Sequence, residues 1–250
     1  MKLVVIGGNG LIGSRLVKLL REHGQEAVAA SPTLGVNAVT GEGLAEALKG
    51  ASVVIDVSNA PLREDSAVMT FFETSTRNLL AYGAAAGVSH HVALTVVGSK
   101  RMPENFYLRA KIAQENLIKA SAAPYSIVRA TQFYESLKEI ADFSTSGNKA
   151  HLPHVLFQPI AADDVAAAMG RIALSPPINS TVEIAGPEEY YLDELIRQSL
   201  ASRKDSREVL SDPRGGYYGI PVKEQTLLPG DDAALGKIRF QDWLAQGNLQ

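Results

Sequence analysis

Residues 4–15 read Val-Val-Ile-Gly-Gly-Asn-Gly-Leu-Ile-Gly-Ser-Arg, a short apolar run that ends in glycines and passes at once into a helical pattern. The run Leu3–Ile6 predicts a buried strand, and Leu11–Leu20 predicts a helix with apolar residues along one face. Glycine is needed where a turn is tight, where backbone must approach a ligand, and where a helix packs closely on a strand. The stretch therefore predicts a strand–turn–helix unit.

The glycines of this turn fit two fingerprints. Gly7, Gly10 and Gly13 fit G-x-x-G-x-x-G, whereas Gly8, Gly10 and Gly13 fit G-x-G-x-x-G, and the glycines alone do not choose between them. A turn that follows the first strand of a βαβ series favours dinucleotide binding, because the amides and positive end of the helix attract phosphates. We expect the cofactor phosphates to be bound by the turn and the first helical residues, namely Gly7, Asn9, Gly10, Leu11, Ile12 and Gly13.

The end of the second predicted strand, Ala27–Ala30, bears on the choice of cofactor. NAD-binding sites usually carry Asp or Glu there, about 20 residues after the glycines, since a carboxylate accepts hydrogen bonds from the ribose. This chain continues with Ser31 and Pro32, without an acid. Ser31 can hydrogen-bond a 2′-phosphate and Arg15 can supply positive charge, so we expect NADP in preference to NAD. The alternative is that both are ordinary surface residues.

Short apolar runs alternate with helical stretches up to about residue 131. Further strands are predicted at Val36–Val39, Ser52–Val57, His91–Val97 and Tyr125–Arg129, and helices at Leu44–Leu48, Phe71–Ala86 and Tyr107–Ala120. This alternation requires crossover connections. We therefore expect an α/β protein with a Rossmann-like, doubly wound parallel sheet covered by helices on both faces.

The alternation of short apolar runs with helical stretches becomes less regular after residue 131. Helices are predicted at Gln132–Ile140, Asp163–Leu174 and Leu192–Ala201, and short strands at Val155–Phe157, Val182–Ile184 and Val209–Leu210. We divide the chain into a dinucleotide-binding core, residues 1–131, and a small C-terminal α+β lobe, residues 132–250. We expect this lobe to carry the substrate side and to close over the carboxyl edge of the sheet, where open α/β sheets bind ligands.

Composition excludes several classes of function. The chain has 250 residues, 24 basic against 27 acidic, and no cysteine, which rules out disulfides, thiolate zinc sites and cysteine nucleophiles. It has no long basic run and no apolar stretch of about 18 residues, so we expect no nucleic-acid or membrane partner and a cytoplasmic location. His151 and His154 resemble a metal pair in spacing, but Pro153 blocks a helical pair and no third ligand is evident, so we expect no metal. Oligomeric state is left open.

Several further stretches resemble the atypical, NmrA-like branch of the short-chain dehydrogenase/reductase superfamily. They are Val53–Ala60, Ala93–Gly98, Tyr107-x-x-x-Lys111, Lys111-x-x-x-Glu115, Pro124–Arg129 and Pro159–Ala166. The resemblance covers residues 1–190 and is loose beyond them. It implies an NAD(P)-binding Rossmann fold in which the loop carrying Asn59 and Ala60 lines the cofactor. It also implies that Lys111 holds the nicotinamide ribose.

The tyrosine and the lysine suit a hydride transfer, which needs a proton partner at the substrate oxygen. A tyrosine hydroxyl has a pKa of about 10 and is a poor base at neutral pH. Lys111 lies one helical turn after Tyr107, on the same face, and its positive charge favours the phenolate. Thr95, at the end of a neighbouring strand, can polarise the substrate oxygen, with Ser99 as an alternative donor.

A second Y-x-x-x-K pattern, Tyr134 to Lys138, shows that the bare pattern discriminates little. Position favours the first: Tyr107 follows Thr95 by 12 residues and opens the next helix, whereas Tyr134 comes one strand later. We therefore assign Thr95, Tyr107 and Lys111 as candidate catalytic residues. The alternative is that Tyr107 and Lys111 belong to an ordinary amphipathic helix.

Together these features predict an NAD(P)-dependent oxidoreductase that acts on a small carbonyl, alcohol or quinone-like substrate. One alternative is a non-catalytic NAD(P)-binding redox sensor of NmrA-like type that regulates a partner. Another is a sugar-nucleotide epimerase or dehydratase. The short C-terminal lobe and the lack of an evident uridine- or phosphate-binding cluster weigh against the epimerase, and the apparently complete Thr95, Tyr107 and Lys111 set favours the oxidoreductase.

Overall fold

The computed structural model describes residues 1–60 and 64–247. The chain divides into two compact units: the first contains residues 1–129 and 165–182, and the second contains residues 130–164 and those from 183 onward. The boundary predicted after residue 131 lies close to the first crossing between the units. The return of residues 165–182 to the first unit was not predicted. Residues 248–250 of the predicted lobe lie outside the described residues.

Strands alternate with helices through the first half of the chain. The elements are β1 (Lys2–Ile6), α1 (Leu11–Glu22), β2 (Glu26–Ala30), α2 (Leu44–Leu48), β3 (Val53–Asp56), α3 (Asp65–Ala86), β4 (His90–Val96), α4 (Phe106–Ala120) and β5 (Tyr125–Ala130). Shorter elements follow: α5 (Leu137–Phe143), β6 (Thr145–Ser146), β7 (Lys149–Leu152), β8 (Leu156–Phe157), α6 (Ala162–Ala173), β9 (Ser180–Ala185), β10 (Tyr190–Tyr191), α7 (Leu192–Ser202), β11 (Glu208–Ser211), β12 (Ala234–Leu235) and α8 (Phe240–Ala245).

Within residues 1–60 and 64–247, seven strands form one sheet in the order β12-β9-β5-β4-β3-β1-β2. The pairs of β1 with β2 and β3, of β3 with β4 and of β9 with β12 are parallel. β1 and β3 are buried along almost their whole length, as expected of strands covered by helices on both faces. The predicted Rossmann-like parallel sheet is confirmed. β9 and β12 belong to it, although the sequence placed that region in the lobe.

Helix α1 is held at the end of β1 by close packing in the first unit. Ile12, Leu16 and Leu20 are buried on one of its faces. Gly170 of α6 lies against the same helix, since a Cβ atom at Gly170 would be 3.2 Å from Cδ2 of Leu19. This packing fixes where the first turn of α1 lies relative to the sheet.

The predicted strand at Val36–Val39 was wrong. The segment is a turn, bounded by Gly35 and Gly41 with φ of +78° and +83°. The Asn37 side chain accepts hydrogen bonds from the amides of Val39 and Thr40 at 2.9 and 3.3 Å. Such a side-chain bond closes a turn locally and competes with strand pairing.

The helix predicted at Gln132–Ile140 begins later than expected. Phe133 forms a bridge with Ile160, and the amide of Tyr134 donates to the carbonyl oxygen of Ile160 at 3.1 Å. A 3-10 turn at Tyr134–Ser136 follows, and only then does α5 begin. Extended pairing with Ile160 therefore replaces the first helical turn.

The second unit contains a three-stranded sheet, β11-β7-β6, and the pair β10-β8. Its most deeply buried side chains include the aromatic residues Tyr134, Phe240 and Trp243, whose rings contact one another. Over residues 1–60 and 64–247, no helix has the length and apolar character that crossing a membrane requires.

Candidate functional site

Close backbone contacts shape the glycine turn between β1 and α1. Gly7 has φ +79°, and the amides of Gly7 and Gly8 both donate to the carbonyl oxygen of Ala30, at 2.9 and 3.1 Å. A Cβ atom at Gly8 would lie 2.7 Å from Cα of Ala29, and one at Gly13 would collide with the carbonyl oxygen of Gly7. Only glycine fits these three positions.

Gly10 differs from the other glycines of the turn. It is the extended N-cap residue of α1, and a Cβ atom there would have one neighbour within 4 Å, the carbonyl oxygen of Gly7 at 3.2 Å. Gly7 thus makes the tight turn, Gly10 leaves room for a ligand beside the backbone, and Gly13 permits close helix packing. These are the roles of a dinucleotide fingerprint, and the geometry corresponds to G-x-x-G-x-x-G with Gly8 as an added requirement.

The first turn of α1 offers donors to an anion. No side chain of the described residues caps this helix, and its first turn contains no acidic residue. The amides of Leu11, Ile12 and Gly13 lie in that turn, which has no intrahelical acceptors for them. Uncapped amides at the positive end of a helix suit a phosphate. The turn therefore fits the pyrophosphate of a dinucleotide.

Polar side chains connect the ends of β1 and β2. The amide nitrogen Nδ2 of Asn9 donates to Oγ1 of Thr33 at 2.7 Å, and that oxygen lies 3.1 Å from Oγ of Ser31. Arg15 donates to the carbonyl oxygen of Leu11 at 2.9 Å, within its own helix. The structure thus brings Asn9 and Ser31 together through Thr33. Sequence reasoning missed Thr33, although its position two residues after Ser31 was a usable signal.

The loop after β3 lies against the glycine turn, because a Cβ atom at Gly7 would be 2.9 Å from Cα of Ser58. Asp56 is buried and accepts hydrogen bonds from the amide and hydroxyl of Ser58, at 3.0 and 2.6 Å, so it shapes this loop. Asn59 is exposed and its Oδ1 accepts from the amide of Ala60 at 3.0 Å. The loop that carries Asn59 and Ala60 is thereby placed beside the turn.

Tyr107 and Lys111 share one aromatic neighbour. Asn105 caps α4 by accepting from the amide of Leu108 at 3.1 Å, which starts the helix just before Tyr107. Phe72 of α3 contacts both side chains: its ring centroid lies 5.8 Å from that of Tyr107, and Nζ of Lys111 lies 4.3 Å from its centroid. Sequence reasoning did not identify Phe72, whose role depends on how α3 packs on α4.

Lys111 is buried, with 3% of its surface exposed, and its Nζ donates to the carbonyl oxygen of Leu94 at 2.9 Å. Burial lowers the pKa of Lys111 to about 8, while the negative charges of Asp56 and Glu115 act in the opposite direction. An ammonium group has three donors. Among the described residues Nζ has no second hydrogen-bond acceptor, so donors are left for a ligand.

Thr95, which the sequence predicts to polarise the substrate oxygen, makes a hydrogen bond within the protein. Thr95 is 1% exposed, and its hydroxyl donates to Oε1 of Glu115 at 2.9 Å. The hydroxyl of Ser99 donates to the carbonyl oxygen of Val96 at 2.8 Å. Because a hydroxyl has a single hydrogen, neither residue has one for a substrate oxygen in this arrangement.

Glu115 accepts hydrogen bonds from several neighbouring side chains. Arg129 donates to both carboxylate oxygens, at 2.8 and 2.6 Å, and Lys119 donates at 3.0 Å. Burial acts to raise the pKa of Glu115, but the hydrogen bonds from Arg129 and Lys119 outweigh it and hold the pKa below its ordinary value. Glu115 therefore stays ionised and ties α4 to β4 and β5 through Thr95 and Arg129.

The second Y-x-x-x-K pattern has a different structure. Tyr134 lies in a 3-10 turn, is fully buried, and donates its hydroxyl to the carbonyl oxygen of Ile238 at 3.3 Å. Burial raises the pKa of Tyr134 above its ordinary value. Lys138 pairs with Asp142 at 2.7 Å. Tyr134 and Lys138 therefore have separate structural partners.

Comparison with known proteins identifies a family. The family described as NAD(P)H-binding matches residues 7–176, more than half of the chain and including the glycine turn, Tyr107 and Lys111. None of the curated proteins compared with the chain matches it.

Solved structures similar to this chain share its fold. A short-chain dehydrogenase/reductase superfamily protein from Agrobacterium tumefaciens with bound NAD has a TM-score of 0.75 at 16% identity, over 99% of this chain and 96% of that one. A UDP-glucose 4-epimerase from Thermus thermophilus in complex with NAD gives 0.74 at 16%, over 98% and 96%. A dTDP-4-dehydrorhamnose reductase from Bacillus anthracis in complex with NADP gives 0.69 at 13%, over 98% and 92%. The chain therefore belongs to the NAD(P)H-binding family, and it has the Rossmann-like fold of these structures.

Proposed function

We propose that this protein is an NAD(P)-dependent oxidoreductase that acts on a small carbonyl, alcohol or quinone-like substrate. The observation that carries the proposal is the arrangement of Tyr107 and the Lys111 ammonium around the ring of Phe72. It lies in the same unit as the glycine turn, which fits a dinucleotide. A bound nicotinamide would supply or accept the hydride.

In the reductive direction, Tyr107 donates a proton to the substrate oxygen. Lys111 lies one helical turn away, and its charge stabilises the phenolate that forms. With a pKa lowered by burial to about 8, Lys111 is still mostly protonated at neutral pH. Its remaining N–H donors would hold the nicotinamide ribose. Thr95 acts as a positioning residue, because it orients Glu115 rather than the substrate.

Replacing Tyr107 by Phe tests the proposal. The variant keeps the ring that contacts Phe72 and loses only the hydroxyl, so turnover should fall by about 10²–10⁴. The dissociation constant for the coenzyme should stay within about twofold. Steady-state rates and a fluorescence titration measure the two quantities.

The matched control is Tyr134→Phe, which removes the hydroxyl of the other Y-x-x-x-K tyrosine and should keep wild-type turnover. Wild-type turnover in the Tyr107→Phe variant would refute the assignment. So would an equal loss of turnover in both variants.

We also propose that NADP is preferred over NAD, because the segment after β2 supplies the exposed hydroxyl of Thr33 and the buried hydroxyl of Ser31 beside it, and no acid, where an NAD site carries a carboxylate. Ser31→Asp should lower the ratio of NADPH to NADH affinity by at least about tenfold, since a carboxylate repels the 2′-phosphate. Ser206→Asp makes the same charge change at an exposed position of the other unit and should leave the ratio unchanged. A wild-type protein that binds NADH more tightly would contradict the proposal.

A non-catalytic redox sensor is the second candidate, and one observation favours it. Both hydroxyls that sequence reasoning considered as substrate donors, Thr95 and Ser99, donate within the protein. A sensor would bind the coenzyme tightly, turn over no substrate, and bind a partner in a coenzyme-dependent way. A panel of carbonyl compounds and quinones separates the two candidates, and UDP-glucose belongs in it because a similar fold occurs in a UDP-glucose 4-epimerase.

A further inference from the structure

A cleft of about 230 Å³ lies within the second unit, outside the site described above. It is lined by Pro153, His154, Val155, Ser211, Pro213 and Val222. Prolines and valines make most of this lining apolar. The volume exceeds that of an apolar cavity of about 150 Å³ that binds benzene, and it is below the range of about 300–1,000 Å³ typical of drug-sized ligands. The cleft therefore suits a molecule of one substituted ring.

A buried carboxylate organises the polar side of this cleft. Asp193, in the first turn of α7, is 1% exposed and accepts hydrogen bonds from both lining polar residues. The bond from Nδ1 of His154 measures 2.9 Å, and the other comes from the hydroxyl of Ser211. The His154 ring also stacks on Tyr191, with centroids 3.8 Å apart and planes 15° from parallel. Asp193 and Tyr191 thus fix the orientation of the His154 ring, although the His154 side chain is 49% exposed.

This hydrogen bonding determines what the cleft offers a ligand. A carboxylate that is ionised only accepts, so Nδ1 of His154 carries the hydrogen of this bond; in the neutral form of the ring, Nε2 is then an acceptor. Ser211 gives its single hydrogen to Asp193, which leaves lone pairs on its oxygen. Among the described residues, Nε2 has no hydrogen-bond partner. With the His154 ring neutral, both polar groups of the cleft are acceptors, and a complementary ligand must bring a donor.

We propose that this cleft binds a small aromatic molecule that carries a hydroxyl group, with the ring against the prolines and valines and the hydroxyl donating to Nε2 of His154. The residues that line this cleft belong to the second unit, whereas the proposed coenzyme site belongs to the first. The proposal for the cleft therefore does not depend on the oxidoreductase assignment. Phenol is the simplest probe of this chemistry.

The test is a titration of the full chain with phenol and with toluene, which has a similar size and no hydroxyl. Long-range ¹H–¹⁵N spectra report each histidine ring separately. We expect saturable shifts at His154 with phenol, and at least about tenfold weaker binding of toluene. His151 is the internal control, because it pairs with Asp212 at 3.2 Å and does not line the cleft. Equal affinity for the two probes, or equal shifts at both histidines, would overturn the proposal.

Two cleft variants make the test independent of any one substitution. His154→Phe keeps a ring to stack on Tyr191 but removes Nε2, and Val222→Phe fills part of the cleft while leaving His154 in place. Each should weaken phenol binding at least about tenfold, whereas His151→Gln should change it by less than about twofold. Retention of wild-type phenol affinity in either folded cleft variant would refute the site.

Discussion

The hydroxyl of Thr95 donates its hydrogen to Glu115, and this one bond favours a positioning role for Thr95 over donation to a substrate. The Glu115 carboxylate also accepts hydrogen bonds from Arg129 and Lys119. Thr95 therefore belongs to a hydrogen-bond network that connects β4 with α4 and β5. Burial of the charged carboxylate costs free energy, and each hydrogen bond that it accepts offsets part of this cost. On the proposed function, we therefore expect Thr95 to contribute to turnover indirectly.

Thr95→Val should then cost stability more than chemistry. It removes one donor from a buried carboxylate, so we expect a loss of about 1–3 kcal/mol in the free energy of unfolding and less than about a tenfold loss of turnover. A residue that donates to a developing oxyanion would instead cost about 10²–10³ in turnover. Denaturant unfolding and steady-state rates measure the two effects.

Thr95→Ser serves as the control, since it keeps the hydroxyl and should restore both quantities to near wild type. A Thr95→Val variant that is as stable as wild type and more than a hundredfold slower would show that Thr95 acts on the substrate after all.

At the scale of single residues, the sequence predicts a feature where that feature depends only on residues nearby in the chain. The glycine turn could be identified because tight backbone geometry at Gly7 and Gly13 excludes side chains whatever surrounds them. The direction of the Thr95 hydroxyl could not be predicted, because its acceptor is 20 residues away on another element. Thr33 and Phe72 were missed for the same reason: each matters only through a neighbour that the fold brings to it.

At the scale of elements, β4 begins with two buried histidines. Burial, and in second place the neighbouring His91, lower the pKa of His90 to about 4, and its Nε2 lies 2.8 Å from the hydroxyl of Ser126. Burial also lowers the pKa of His91, although the negative charge of Asp56 partly opposes it. The strand therefore requires both rings to be neutral.

Stability should consequently depend on pH in a defined window. The unfolded chain protonates His90 near pH 6.5, the ordinary value, but the folded chain does so near pH 4. The unfolded state binds more protons between these values, so the contribution of His90 is complete above about pH 6.5 and is lost as the pH falls toward 4. The shift corresponds to a loss on the order of 3 kcal/mol. Denaturant unfolding at several pH values measures it.

His90→Gln should make the curve less steep between pH 6.5 and 4, because glutamine does not titrate, and His91 should account for part of the slope that is left. His23→Gln, at an exposed position on the loop after α1, should keep the wild-type slope. If the two variants lose stability with falling pH as steeply as each other, buried His90 is not the cause.

Elements themselves were predictable to different degrees. β1, α1, β3 and α4 follow from apolar periodicity, because each buries a regular face or a whole strand in the first unit. The turn at residues 36–40 was missed because Asn37 closes it through its side chain, which a hydrophobic pattern does not report. The late start of α5 has a similar origin in the long-range pairing of Phe133 with Ile160.

At the scale of the whole molecule, the two units share strands. β5 passes from the first unit to the second after Arg129, and β9 does so after Val182. Sequence periodicity cannot reveal this, because β9 reads as an isolated short strand until its partner β5 is known. To unfold one unit alone would interrupt β9 in the middle and β5 at its last residue, so we expect the units to unfold together.

Coenzyme binding tests this coupling, because the glycine turn lies in the first unit and Trp243, the single tryptophan of the chain, lies buried in the second. The oxidised form of the preferred coenzyme, at a hundred times its dissociation constant, should stabilise the folded chain by about 2.7 kcal/mol. For a chain of this size that raises the melting temperature by about 5–10 °C.

Tryptophan fluorescence, which reports on the second unit through Trp243, and far-ultraviolet circular dichroism, which reports on the whole chain, should show the same rise in melting temperature. Gly13→Ala should abolish the rise, since its Cβ atom collides with the turn. A fluorescence transition that stays fixed while the circular dichroism transition moves would show that the units unfold separately.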